Sequence, residues 1–253
     1  MINNTGEIIY REKDQYGSIE VIDYMDKVRA LHFGNQTQQS AMLLGHPYLL
    51  IHRYTQAMLV PTCWHKPTSA LLLGLGAGSI AKYLYHYFNK ICVDIVELRA
   101  SIVSIATHFF HLPERNARFN IYTESAHHWI SRGGACREYD IIMVDIFLTT
   151  SGGEDYSIDL SRDVYTLYNM LSDEGVIVFN HLGNDVENYS GINTIKKLFG
   201  DNLCSINIDA VNTIIIASKN KISIDFSESY INEKELKYKI PYGQYMGLLK
   251  AVI

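Results

Sequence analysis

The sequence predicts an α/β fold in which a mostly parallel sheet carries helices on both faces, preceded by a small N-terminal layer of β-strands. From Ser69 onward, short apolar runs alternate with segments of helical periodicity, which is typical of a parallel sheet. Before Ser69, short runs rich in β-branched and aromatic residues are separated by turn-forming residues. We therefore divide the chain into an N-terminal β-strand region with a connecting helix, residues 1–62, and an α/β domain, residues 63–253.

The composition excludes several classes of protein. Hydrophobic residues make up 47% of the 253 residues, enough to fill a core. The net charge is -5 and the chain has no long basic run, which disfavours a nucleic-acid partner. The four cysteines are far apart, and no histidine pair has an evident third ligand, so we predict no metal site. Because the N-terminus is polar and no long apolar stretch follows, we expect a cytoplasmic protein without a membrane partner.

The sequence of the N-terminal region predicts three strands and one helix. The strands cover 6–11, 18–24 and 29–34, and a largely polar connection follows over 34–47. Pro47 suits the first turn of a helix, whose apolar residues then recur at helical spacing up to Met58. This helix should end before Pro61.

The sequence of the α/β domain predicts seven strands. The last two are too close together for a crossover helix, so they should form an antiparallel edge. The predicted strands are 70–76, 92–98, 118–123, 139–147, 175–180, 204–209 and 212–218. The predicted helices are 79–88, 102–109, a short one at 126–130, 163–171 and 190–199.

A glycine-rich turn joins the first of these strands to its helix and carries the sharpest functional signal. Gly74, Gly76 and Gly78 allow a tight turn and a close approach of a nucleotide. Glu97 ends the next strand, 19 residues after Gly78, where a carboxylate can accept hydrogen bonds from ribose hydroxyls. Ser79 occupies the last position of the dinucleotide fingerprint, so an adenosyl pocket of the methyltransferase type is favoured over NAD.

These pieces, in this order, resemble the spermidine synthase (polyamine aminopropyltransferase) family, in particular its shorter bacterial spermidine-synthase-like branch. The resemblance runs from about Glu7 to Ser218. It rests on Gln15-Tyr16-Gly17, Gln39-Ser40-Ala41-Met42, Tyr54-Thr55-Gln56-Ala57-Met58, GLGAGS, VEL, YDIIMVD and EGVIVFN. It implies a Rossmann-like S-adenosylmethionine-dependent methyltransferase fold with a seven-stranded sheet, and often a homodimer. It also implies that S-adenosylmethionine, or its decarboxylated form, is the donor substrate and a small amine the acceptor.

The resemblance also implies roles for individual residues. Asp145, at the end of the fourth strand, corresponds to the family's base or amine-orienting group, and a carboxylate there should point into the ligand crevice. The residues expected on the donor are Gly74, Gly76, Gly78, Glu97, Ser125, Ala126 and Gln39. Those expected on the acceptor are Tyr54 and Gln56.

The chain departs from the family pattern where that pattern is acidic. Ala77 stands where the glycine loop usually has an aspartate that favours the decarboxylated donor, and Ser125 stands at the adenine-contacting aspartate. Leu148 replaces a second carboxylate, and Thr55-Gln56 replaces the usual His-Glu pair. Acids that could substitute from a lid, or be ordinary loop charges, are Glu154, Asp155 and Asp159.

Three functions therefore stay open. The first is an aminopropyltransferase-like enzyme. The second is a methyltransferase with intact S-adenosylmethionine and a different acceptor, favoured by Ala77. The third is a non-catalytic nucleotide-binding or dimerisation module, favoured by Leu148 and Gln56.

Overall fold

The N-terminal strands form an antiparallel sheet in chain order. The computed structural model describes residues 6–25, 27–35, 37–149, 155–157, 160–222 and 225–252. The strands of this sheet are β1 (Glu7–Asp14), β2 (Gly17–Tyr24), β3 (Val28–His32) and β4 (Gln38–Leu43). β4 lies where a polar connection over 34–47 was predicted, and that prediction was wrong. Its sequence is polar at the start, but Ser40, Ala41 and Met42 are buried and the strand pairs with β3.

The connecting helix begins later than predicted. Pro47 lies in a turn in which the amide of Leu49 donates to the His46 carbonyl at 3.1 Å, so it does not open the helix. Helix α1 (Arg53–Met58) follows, and it ends before Pro61 as predicted. A short 3-10 helix, Val60–Cys63, comes next and places Pro61 in its first turn. The proposed boundary between residues 62 and 63 falls inside this 3-10 helix.

The central sheet is mostly parallel, as predicted, but it has eight strands in the described part of the chain instead of seven. The strands are β5 (Ser69–Leu73), β6 (Cys92–Glu97), β7 (Phe119–Thr123), β8 (Tyr139–Val144), β11 (Leu171–Leu182), β12 (Leu203–Ile208), β13 (Asn212–Ser218) and β14 (Lys250–Ala251), while β9 (Phe147–Thr149) and β10 (Asp155–Ser157) form a separate hairpin. The order in the sheet is β14-β12-β13-β11-β8-β5-β6-β7. The pairs from β11 to β7 are parallel and the remaining pairs are antiparallel, and the two-residue strand β14 adds the eighth member at the edge.

The helices follow the strands in the predicted alternation. They are α2 (Ser79–Tyr87), α3 (Ala100–Phe109), α4 (Ala126–Ser131), α5 (Val164–Met170), α6 (Ile192–Phe199), α7 (Glu228–Tyr238) and α8 (Tyr242–Met246), with a 3-10 turn at Val186–Asn188. α7 and α8 were not predicted, since α7 is polar on most of its surface. Tyrosines attach them to the domain: Tyr83 donates to the Tyr238 carbonyl at 2.6 Å, and the Thr62 and Tyr242 hydroxyls lie 2.7 Å apart.

Alternate residues of the central strands pack into two hydrophobic clusters, one on each face of the sheet. Ala70 and Leu72 belong to the cluster that also contains Ile19 and Met42 of the N-terminal sheet. Leu71 and Leu73 belong to the opposite cluster. Burial on both faces explains the continuous apolar runs in the sequence. It also fixes the register that brings the carboxyl ends of β5, β6, β8 and β11 to one edge.

Among the described residues, no helix combines the length and the apolar character that a membrane crossing requires.

Candidate active site

A cavity of about 330 Å³ lies at the carboxyl ends of β5, β6, β8 and β11. Residues of β4, of the start of α1 and of the turn between β12 and β13 also line it. Open α/β sheets bind ligands in this position. Most of the site residues predicted from the sequence line this cavity, and the exceptions are Gly78 and Gln56.

Gly74 lets two strands approach each other at the floor of the cavity. Its φ is +99°, and a Cβ atom there would lie 2.1 Å from the carbonyl oxygen of Asp145. The amide of Gly74 donates to the Val96 carbonyl at 2.9 Å, and the amide of Asp145 donates to Leu73 at 2.9 Å. The glycine therefore sets the position of Asp145 as well as the shape of the turn. Gly76, with φ +54°, lines the cavity next to Ser40.

Glu97 is a buried carboxylate held by backbone amides. Its Oε2 accepts from the amide of Leu75 at 3.0 Å, and its Oε1 accepts from the amide of Arg99 at 2.8 Å. Burial raises the pKa of this carboxyl, while the amides and the Arg99 charge oppose the rise. Because both oxygens are anchored to the glycine turn and to the end of β6, Glu97 is pre-oriented toward the cavity that it lines.

Arg99 connects the N-terminal sheet to this site, a contact that sequence reasoning missed. Its Nε and Nη2 donate to Asp14 at 3.0 and 2.9 Å, and its guanidinium lies 4.7 Å from the ring centroid of Phe33. Burial alone would raise the pKa of Asp14, but hydrogen bonds from Arg99, Ser101 and the amide of Tyr16 outweigh it and lower that pKa. The tip of the β1–β2 hairpin is thereby tied to the residue that orients Glu97.

Ser125 and Ala126 line the cavity at the start of α4. The Ser125 hydroxyl caps this helix by accepting from the amide of His128 at 3.2 Å. The hydroxyl therefore fixes the helix start and keeps capacity for a second hydrogen bond. His127, beside them in the wall, forms an ion pair with Asp163 when it is protonated.

Asp145 follows β8 and lines the cavity beside two asparagines. Asn180 donates from Nδ2 to Oδ1 of Asp145 at 2.8 Å, and Asn212 donates to Oδ1 of Asn180 at 2.9 Å. Burial raises the pKa of Asp145 to about 6, against the opposing hydrogen bond from Asn180. The asparagines were not predicted, although Asn180 ends the strand EGVIVFN, which is the parallel neighbour of the strand before Asp145.

Tyr54 and Gln39 face the same cavity from the N-terminal side. The Tyr54 hydroxyl donates to the Gln39 carbonyl at 3.4 Å. Burial, together with the negative charge of Asp145, raises the pKa of Tyr54 well above 10. The phenol is therefore neutral at physiological pH, and its oxygen keeps the capacity to accept a hydrogen bond.

Among the described residues, no group of three or more His, Cys, Asp or Glu side chains is arranged to hold a metal ion.

No protein-family model matches the chain. It is 28% identical over 240 residues to the polyamine aminopropyltransferase of Chromobacterium violaceum, covering 88% of this chain and 86% of that protein. It is 25% identical over 235 residues to the polyamine aminopropyltransferase of Neisseria meningitidis serogroup A, with the same coverage of 88% and 86%. Over most of its length the chain is therefore similar in sequence to polyamine aminopropyltransferases. These relatives support a transferase enzyme.

Solved structures show the same fold. A probable spermidine synthase from Corynebacterium glutamicum matches with a TM-score of 0.71 at 18% identity, over 90% of this chain and 88% of that one. A spermidine synthase in complex with the transition-state analogue AdoDATO matches with a TM-score of 0.68 at 17% identity, over 95% and 85%. Human methyltransferase-like protein 13 in complex with SAH matches with a TM-score of 0.59 at 20% identity, over 76% and 93%. The fold class predicted from the sequence is thus confirmed.

Gly78 and Ala77 shape the glycine loop from outside the cavity. Gly78 has φ +72° and precedes α2, and a Cβ there would lie 2.5 Å from Cδ1 of Leu112. It therefore fixes the entry into the helix, and Ser79 lines the cavity in its place. Ala77 is fully buried, so the position of the family's loop aspartate offers no polar group to a donor.

Gln56, which was predicted to contact the acceptor, is not among the residues that line the cavity. Its Nε2 donates to the Leu50 carbonyl at 2.7 Å, and its Oε1 accepts from the Tyr245 hydroxyl at 2.7 Å. The amide thus ties α1 both to the segment before it and to α8. Thr55 lines the cavity, and its hydroxyl donates to the carbonyl of His52 at 2.7 Å.

The other departures from the family pattern follow β8. Leu148 belongs to β9 and Asp155 to β10. Glu154 and Asp159 lie outside the described residues.

Proposed function

We propose that this protein transfers an aminopropyl group from decarboxylated S-adenosylmethionine to an amine. The observation that carries the proposal is Asp145, whose carboxyl lies in one cavity with the glycine turn and Glu97 and has a pKa of about 6. A base with such a pKa is mostly ionised at neutral pH and can still accept a proton. The polyamine aminopropyltransferase relatives support the same reaction.

The donor would occupy the part of the cavity that the glycine turn closes. Gly74 and Gly76 offer a surface free of Cβ atoms, and Glu97 would accept hydrogen bonds from the ribose hydroxyls. Ser125 and Ala126 would lie along the adenine, and Gln39 would close the donor side from β4. The buried, fully anchored state of Glu97 supports its role, because a pre-oriented carboxylate loses little freedom on binding.

The acceptor would be held at Asp145. The carboxylate would orient the amine and take its proton, while the amine nitrogen attacks the methylene carbon beside the donor sulfonium. A carbon–nitrogen bond forms and the carbon–sulfur bond breaks, with its electron pair passing to sulfur. Methylthioadenosine then leaves as a neutral thioether. Asn180 would hold the carboxylate in position, and the neutral Tyr54 hydroxyl would lie in the same pocket.

Asp145→Asn tests this proposal. Loss of the base should lower turnover by about 100- to 10,000-fold, while the dissociation constant of the donor changes little. Turnover is followed as methylthioadenosine release and donor binding by calorimetric titration. Asp173→Asn is the matched control, since Asp173 is exposed near the amino end of β11 and should behave as wild type. Wild-type turnover by Asp145→Asn would contradict the proposal.

A methyltransferase on the same scaffold is the second candidate. Ala77 favours it, because a buried methyl group neither binds the amine of the decarboxylated donor nor repels the carboxylate of intact S-adenosylmethionine. Parallel titrations with the two donors separate the candidates: tighter binding of the decarboxylated form favours aminopropyl transfer, and tighter binding of the intact form favours methyl transfer. Binding of neither would leave the non-catalytic module.

The homodimer implied by the resemblance and the cytoplasmic location expected from the sequence stay predictions. Sedimentation of the purified protein would test the first, and fractionation of the producing cells the second.

A further inference from the structure

Arg99 lines the cavity, but none of the steps proposed above uses its side chain. It follows Glu97 at the junction between β6 and α3, and its side chain is buried. The guanidinium donates to Asp14 through two of its nitrogens and to the carbonyl of Gly17 at 3.3 Å. All of these partners lie at the tip of the hairpin between β1 and β2. A buried side chain with several fixed partners also restrains the backbone that carries it.

The backbone that Arg99 restrains is the part that orients Glu97. The amide of Arg99 donates to Oε1 of Glu97 at 2.8 Å, and the amide of Leu75 on the glycine turn holds the other oxygen at 3.0 Å. The positive charge of Arg99 also opposes the rise that burial causes in the pKa of Glu97, so it favours the ionised carboxylate. The direction and the charge of Glu97 therefore both depend on a residue that is anchored in the N-terminal sheet.

The hairpin depends on Arg99 in turn. β1 is the edge strand of the N-terminal sheet, and none of its eight residues is fully buried. Two side-chain contacts hold it against α3 and the residue before that helix: Tyr10 packs on Phe109 with 4.8 Å between ring centroids, and Asp14 pairs with Arg99 and accepts from the Ser101 hydroxyl. An edge strand with few buried side chains opens at a lower free energy than the core, so the loss of one contact should change its docking.

These contacts run without interruption from the hairpin tip to the carboxylate. Building on the proposed ribose contact of Glu97, we infer that Arg99 is a positioning residue for the donor, and that the β1–β2 hairpin forms part of the donor-binding site. Arg99 acts through Glu97, because the docked hairpin keeps the carboxylate directed at the ribose hydroxyls. By thermodynamic linkage, a nucleoside that is bound to Glu97 stabilises the docked hairpin.

The experiment compares two ligands by calorimetric titration: methylthioadenosine and its dideoxy analogue, which lacks both ribose hydroxyls. The wild type should bind the dideoxy analogue about 100-fold more weakly, because hydrogen bonds to an ionised group are strong. Arg99→Met, which removes the charge and the donors but keeps a long side chain, should reduce this ratio by about 10-fold. Asp14→Asn weakens the same contact from the other side and should also reduce the ratio, even if Arg99→Met does not fold. The double variant should lose no more than the larger single loss, because both substitutions act on one interaction.

Arg29→Met is the matched control. Arg29 forms another bidentate pair within the N-terminal sheet, with Asp23, and both contacts are 2.8 Å long. It also donates to the carbonyl of Phe109 at 3.0 Å, at the opposite end of α3 from Arg99. Its loss should weaken the packing of the same two layers and leave the ratio of the two ligands at the wild-type value. A wild-type ratio in folded Arg99→Met and Asp14→Asn as well would overturn the inference.

Hydrogen exchange tests the coupling in the other direction. Saturating methylthioadenosine should slow the exchange of the amides that pair β1 with β2 by about 10-fold in the wild type. The dideoxy analogue should give much less protection, and so should methylthioadenosine with Arg99→Met. Hairpin exchange that ignores methylthioadenosine in the wild type would contradict the coupling.

Because these measurements use binding, their outcome is separate from that of the proposed transfer. A ratio that falls in Arg99→Met, in a protein without turnover, would support the positioning role and contradict aminopropyl transfer. Turnover together with a ratio that does not depend on Arg99 would support the transfer and refute the positioning role. Equal binding of the two ligands by the wild type would show that Glu97 does not contact the ribose, and it would overturn the inference.

Discussion

Gly74→Ala should disturb the fold and the chemistry together. The glycine has φ +99°, a conformation that an alanine adopts at a cost of about 1–2 kcal/mol. Its new methyl group would also lie 2.1 Å from the Asp145 carbonyl oxygen, whereas real Cβ contacts are rarely under 3.0 Å. Because that neighbour is backbone, the end of β8 must move, at a further cost of about 1–3 kcal/mol.

We therefore expect Gly74→Ala to lower the free energy of unfolding by about 2–5 kcal/mol. Displacing Asp145 by a fraction of an ångström or more should also lower turnover by about 100-fold, since catalytic geometry tolerates little error. Denaturant unfolding measures the first effect, and methylthioadenosine release the second.

Gly133→Ala separates the steric effect from backbone strain. Gly133 has a similar φ of +88°, but a Cβ there would have no neighbour within 4 Å. This variant should lose only about 1–2 kcal/mol and keep its turnover. If the two variants lost equal stability, or if Gly74→Ala kept full turnover, the close approach of Gly74 to Asp145 would not constrain the site.

Two further predictions concern ionised groups. Burial raises the pKa of Asp145 to about 6, so its contribution to stability is complete below the unfolded-state value near 4 and is lost as the pH rises through 6. Between pH 4 and pH 8, the free energy of unfolding of the wild type should thus fall by about 1–3 kcal/mol relative to that of Asp145→Asn, as measured by denaturant titration. The kcat/KM of the wild type should rise as the pH passes through about 6. Asp14→Asn weakens a bidentate pair with buried Arg99, so it should lower the free energy of unfolding by about 1–3 kcal/mol and should also weaken donor binding. Glu20→Gln, at the exposed pair with Arg11, is the control and should lower that free energy by less than about 1 kcal/mol.

The predicted floor of the cavity follows from the alternation of strands and helices. Gly74 and Gly76 follow β5 and Glu97 ends its parallel neighbour β6, so periodicity and turn chemistry suffice to bring them together. Asp145 follows the same rule, because it ends the strand that pairs with β5 on the other side. The alternation of apolar runs and helical segments in the sequence was therefore enough to predict both the fold and the floor of the cavity.

The missed contacts join distant segments through side chains. Arg99 reaches Asp14 across 85 positions, and Gln56 reaches Tyr245 across 189. No periodicity in the sequence marks such pairs. β4 was missed for another reason: its first residues are polar, and pairing with β3 overrode that local preference.

In the proposed reaction, the two halves of the cavity would differ in what holds a ligand. On the donor side, the binding surface is largely backbone: glycine conformations, and a carboxylate whose position is fixed by the amides of Leu75 and Arg99. Substituting side chains that do not anchor this backbone leaves such a surface intact. On the acceptor side, recognition depends on individual side chains, so each replacement changes the preferred ligand. Loss of acidity on the acceptor side, around a retained Asp145, therefore predicts altered acceptor choice with retained donor binding.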